Sequence, residues 1–116
     1  MSVTMQQVLD ALNPDEPNYS EAAHLGSEAL PHLENLIKTG EPMIASKATY
    51  LVSLIKDKKS VDILKVAAMN KNPVIRVAAA AASKNLCLTL AKDVLSLLHN
   101  DDDAGVRKQA EKSLLR

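Results

Sequence analysis

The chain has one cysteine, three glycines, two tyrosines, and neither phenylalanine nor tryptophan among its 116 residues. A single thiol, Cys87, excludes an intramolecular disulfide and any cysteine-based metal site, and suits a reducing compartment. Gly26, Gly40 and Gly105 are too few and too scattered for a glycine-rich phosphate loop or a nucleophile elbow. With so few aromatics, the core must come from Leu, Val, Ile, Met and many Ala. Ala and Leu are strong helix formers, and Ala lets helices approach closely. A sheet protein would draw on aromatic and β-branched residues instead. No apolar run approaches the roughly 20 residues that span a bilayer. The stretch Met1-Ser-Val-Thr-Met-Gln-Gln7 lacks the basic flank and apolar segment of a secretory signal. The expectation is a cytoplasmic, all-α protein.

Charge of one sign is also lacking, since fourteen basic residues balance fourteen acidic ones. Net charge therefore points to neither nucleic acid nor membrane. The balance conceals an asymmetry. Residues 1–55 hold seven acids against two bases, and residues 56–116 hold twelve bases against seven acids. A linear stack would then carry an acidic end and a basic end.

What the sequence does contain is a repeat. Leu33, Leu64 and Leu95 lie 31 residues apart, as do Ile44, Ile75 and Val106, and Ala48, Ala79 and Ala110. Glu41, Asn72 and Asp103 share the spacing, and Pro42 matches Pro73. The agreement needs no gap and covers both halves of each unit. Apolar residues follow a helical period within each half: Leu30, Leu33, Leu36 and Ile37 in one, and Ile75, Ala79, Ala82 and Leu86 in another. The first helices end near Lys38, Met69 and His99. Asn72 and Asp103 are suited to cap the second helices, with Pro73 at a first-turn position that tolerates it. Each pair alone would leave an apolar face in water, so the pairs must stack.

These features predict one domain over 1–116. Repeats occupy 28–56, 59–87 and 90–116, after an irregular cap over 1–27. In the cap, Thr4 and Gln7 have capping-box spacing, and Asn13-Pro-Asp-Glu-Pro-Asn18 breaks the chain before a short helix that ends near Gly26. No corresponding cap is evident after Leu114 and Leu115, which leaves self-association through the C-terminal end as an expectation.

The run Asn72-Pro-Val-Ile-Arg76-Val-Ala-Ala79, echoed by Asp103-Ala-Gly-Val-Arg107-Lys-Gln-Ala110, resembles the second-helix signature of HEAT repeats. The short period is most similar to the compact repeats of bilin lyase subunits and their relatives. Glu41 and Ala45 depart from the pattern in the first repeat. The resemblance implies a right-handed α-α superhelix of stacked antiparallel helix pairs, with the second helices lining the concave side. It also implies a structural ladder in which Arg107 pairs with Asp103, and Arg76 with Asp103 or Asn72.

Catalytic chemistry finds no support. His24, His32 and His99 fall on different elements, and His32 aligns with the apolar Ile63 and Val94, so no metal site is expected. Asp101-Asp102-Asp103 lacks the spaced ligands and glycine of a calcium loop and reads as a helix cap with a solvated turn. Cys87 has no activating histidine nearby in sequence and reads as an inert, partly buried thiol. No cofactor is expected.

A surface remains. On a helical wheel centred on Ala79, Val77, Ala81 and Lys84 point away from the core, as do their counterparts Ser46, Tyr50 and Ser53, then Lys108 and Lys112. These eight residues form the candidate protein-binding face, with Tyr50 its aromatic anchor. The expected function is that of a binding adaptor or assembly module that holds another protein along the concave face of the stack. An accessory subunit of a lyase-like enzyme is the alternative. Nucleic-acid binding is disfavoured by the thin basic patch and missing tryptophan.

Overall fold

The computed structural model describes residues 2–115. Among them are eight α-helices: α1 (Met5–Leu12), α2 (Tyr19–Ala22), α3 (Leu30–Thr39), α4 (Pro42–Leu54), α5 (Lys58–Ala68), α6 (Pro73–Ala82), α7 (Leu88–Leu95) and α8 (Ala104–Leu115). Short 3-10 turns follow α2 and α6. The protein is an all-α solenoid of stacked helix pairs, α3–α4, α5–α6 and α7–α8.

Local chemistry sets the helix ends. Thr4 and Gln7 form a reciprocal capping box, the Gln7 amide reaching Thr4 Oγ1 at 3.1 Å while Gln7 Oε1 accepts from the Thr4 amide at 2.8 Å. Asn72 Oδ1 accepts from the Val74 amide, and Asp103 Oδ1 from the Val106 amide. Pro42 and Pro73 occupy first-turn positions, where their missing N–H goes unneeded. Gly26 has φ +73°, a left-handed conformation that an L side chain rarely adopts, and turns the chain between two 3-10 segments. The last first-helix is shorter than its sequence suggests. It ends at Leu95, and residues 96–100 continue as hydrogen-bonded turns.

The helices form two layers. In one, α5 packs against α3 and α7; in the other, α6 packs against α4 and α8. The second layer is the tighter. Ala48, Ala79, Ala80, Ala82 and Ala110 are buried there, and side chains this small bring helix backbones together. Leu33, Leu64 and Leu95 are buried between the layers along with Leu36, Ala67 and Leu98. Ahead of the repeats, α1 packs on α3 and α4, and α2 on α4, so the N-terminal segment covers the first pair.

The outer face of the last pair follows from the same register. Leu30 and Val61 are buried where Lys92 is exposed, Ile37 and Ala68 where His99 is exposed, and Thr49 and Ala80 where Glu111 is exposed. In the third repeat these positions hold Lys92, His99 and Glu111, all polar and exposed. The last pair is thus polar at these three positions, while Leu97, Leu114 and Leu115 on the same pair are exposed apolar side chains.

Candidate binding face

Ser46, Tyr50 and Ala81 come together in a groove of about 370 Å³ on the outer side of the second-helix layer. Lys47 and Ala78 also line it, and Tyr19 of α2 closes it at one end. The helical period accounts for the arrangement. Ser46 and Tyr50 lie four residues apart on α4, and Ala78 and Ala81 three apart on α6, so each pair shares one face of its helix. Alanine on α6 leaves the floor low, and the α4 side chains form the wall.

Tyr50 is not a solitary anchor. Its ring meets that of Tyr19 edge to face, with centroids 4.7 Å apart and planes at 63°. Burial raises the Tyr19 phenol above its ordinary pKa, and the neighbouring Tyr50 adds to the rise. The aromatic wall thus spans two segments, one from the repeats and one from the stretch before them. A signal for this was present: the two tyrosines are separated by the repeat length of 31 residues and so occupy one register.

Lys47 fixes the loop that leads into Tyr19. Its ammonium donates to the carbonyls of Leu12 at 3.1 Å and Pro14 at 2.8 Å. Ser46 has the opposite character. Its Oγ is shielded from water and has no hydrogen-bond partner.

Val77, Lys84, Lys108 and Lys112 do not line this groove. Val77 is half-buried against the core, and the three lysines are exposed. Ser53 does not belong to the face at all. It is fully buried, donates to the Tyr50 carbonyl at 2.6 Å and accepts from Asn85 Nδ2 at 2.9 Å. The wheel fails here because the chain after α6 tightens into the 3-10 turn Ser83–Asn85, which carries Asn85 over α4.

The arginines act within the fold. Arg76 reaches Asp101 with Nε to Oδ2 at 2.9 Å and Nη2 to Oδ1 at 3.1 Å, and its Nη1 donates to the Asn70 and Lys71 carbonyls. The ladder expected from the signature exists, but its carboxylate is Asp101. Asp103 is occupied as a helix cap, and Arg107 donates to the Asp101 carbonyl rather than to Asp103. The hydrogen bond from Arg76 holds the Asp101 carboxyl below the usual carboxylate range.

Three further expectations are revised or refined. Cys87 is exposed, not partly buried. His32 sits at a half-buried flank, with Nε2 2.8 Å from the Val3 carbonyl oxygen. The basic excess belongs to the middle of the stack rather than its end: residues 56–87 hold seven bases against two acids, and residues 88–116 hold five of each. Among the described residues no helix is long and apolar enough to cross a membrane.

A family model described as HEAT repeats matches residues 30–115. A search of curated proteins found no match.

Proposed function

The chain belongs to the HEAT-repeat family, whose repeats commonly mediate protein–protein interaction, and on that premise we propose that it is a cytoplasmic adaptor or assembly module that binds another protein along the outer face of α4, α6 and α8. Its role is binding, not catalysis. The observation that carries this reading is the groove at Tyr19 and Tyr50, the place where the candidate residues of α4 and α6 meet around an apolar floor. Aromatic walls with low, apolar floors are the kind of surface on which a few contacts dominate affinity.

Ala81 gives the sharpest probe. Its register partners in the flanking repeats are Tyr50 and Lys112, so the helix accepts a long side chain at this position. Ala81→Glu fills the groove without opening the core. The experiment is affinity capture from the source cell with the unaltered chain, Ala81→Glu, the pair Lys108→Glu with Lys112→Glu, and Lys65→Glu on α5 in the opposite layer. The reading expects a partner retained by the unaltered chain and Lys65→Glu and lost or weakened with the other two. Loss confined to Lys65→Glu would move the interface to the first-helix layer.

A further inference from the structure

The geometry points to an acidic amphipathic helix of a partner protein as the occupant of the α4–α6 groove, an inference that rests on the binding role proposed above. Charge complementarity is its first support. Among the described residues no carboxylate lines the groove. The outward stripe positions beyond it carry Lys84, Lys108 and Lys112, all exposed. A partner lying in the groove would meet mostly apolar surface beneath it, Lys47 being held by the Leu12 and Pro14 carbonyls, and exposed cations on the flank toward α8.

Exposed apolar side chains extend that surface in one direction. Met43 is 71% exposed and Val74 is 54% exposed, both large values for side chains that gain from leaving water. Met43 stands four residues before Lys47 on α4, and Val74 four residues before Ala78 on α6. Helical spacing therefore places both in line with the groove, toward the N-terminal ends of the two helices. The apolar strip runs along the helix axes, and the lysines lie to one side of its far end.

A helix suits this layout. An amphipathic helix can present apolar residues at i, i+3 or i+4, and i+7 along its length, which matches an apolar strip that follows the helix axes. Its own backbone is internally satisfied, so it makes no demand for backbone partners on walls of alanine and tyrosine. Nucleic acid fits less well. The groove itself offers one lysine, Lys47, which is committed to two carbonyls, and Tyr50 already faces Tyr19. Neither a phosphate track nor a free stacking platform is left.

The test is selection of displayed peptides against the full chain, followed by titration of the enriched peptides at low and high salt. The result expected is a pool rich in Asp and Glu with apolar residues at helical spacing. These peptides gain helicity on binding, lose affinity as salt rises, and bind Ala81→Glu roughly tenfold more weakly or worse. Enriched peptides that are basic, or extended, or no enrichment over an unrelated helical control, would overturn the inference. The two readings separate cleanly. If peptides of another chemistry bind and Ala81→Glu abolishes their binding, the face stands and the acidic helix is wrong. If acidic helices bind but Ala81→Glu and the Lys108, Lys112 pair of substitutions leave them untouched, the face itself is wrong. A labelled oligonucleotide that binds the same face and displaces the peptides would also overturn the acidic-helix assignment.

Discussion

Arg76 on α6 grips Asp101 in the next repeat's turn through two near-parallel hydrogen bonds, at 2.9 and 3.1 Å. Asp102 adds a longer contact at 3.5 Å. Asp101 in turn accepts from the Asp103 amide at 2.9 Å, and its carbonyl accepts from Arg107. One carboxylate therefore shapes the turn that starts α8 and ties it to α6. The two side chains are only 14% and 9% exposed, so bulk water competes weakly for them.

Removing one partner leaves the other half-buried without its countercharge. Asp101→Asn should cost on the order of 1–3 kcal/mol, measured by urea unfolding at neutral pH. The cost should depend on acidity. Because Arg76 holds the native Asp101 carboxyl below its unfolded value, its stabilisation is complete above the ordinary carboxylate range. It is lost as pH falls through the lowered native value. The gap between the unaltered chain and Asp101→Asn should therefore narrow below roughly pH 4.

The Tyr19–Tyr50 contact joins the N-terminal segment to the repeats. A double-mutant cycle of Tyr19→Ala and Tyr50→Ala should return a coupling of about 0.5–1.5 kcal/mol. Tyr50→Ala therefore lowers stability as well as altering the groove, which makes it a poorer probe of binding than Ala81→Glu. A coupling of zero would mean that the rings pass each other without interacting.

Ala79 is fully buried, like Ala48 and Ala110 in the same register. Ala79→Leu should overpack the layer and cost roughly 1–3 kcal/mol by thermal or urea unfolding. Ser46→Ala should behave oppositely, leaving stability unchanged or raising it, because the lost hydroxyl has no partner.

The polar positions Lys92, His99 and Glu111 of the last pair make their own prediction. Lys92→Val, His99→Ala and Glu111→Ala together give these positions the residue types that the middle repeat buries at Val61, Ala68 and Ala80. The triple variant should self-associate more strongly than the unaltered chain in sedimentation velocity. Identical behaviour would mean that these positions do not hold the end apart from other copies.

The repeat core was legible because a gapless 31-residue spacing carries Leu33, Leu64 and Leu95 into equivalent buried places, and Ala48, Ala79 and Ala110 with them. Periodicity reports which side of a helix faces inward, and it placed Ile75, Ala79 and Ala82 in the core while setting the half-buried Val77 outside it. It does not report what a neighbouring turn lays across a helix end, so Ser53 was assigned to the surface while Asn85 covers it. Nor does it choose among adjacent carboxylates, and Asp101 rather than Asp103 receives Arg76. The groove was half legible. Its α4 wall and α6 floor follow from the wheel at Ser46, Tyr50 and Ala81, whereas Tyr19 lies before the regular repeats and only its shared register with Tyr50 marks it.

Site-specific photo-cross-linking in the source cell tests the central claim most directly. A photoreactive amino acid is placed in turn at positions 81 and 112 on the second-helix face and at position 65 on α5. The account predicts that positions 81 and 112 form an adduct with the same partner protein and that position 65 does not. An adduct from position 65 alone, with positions 81 and 112 silent in equally folded proteins, would contradict it.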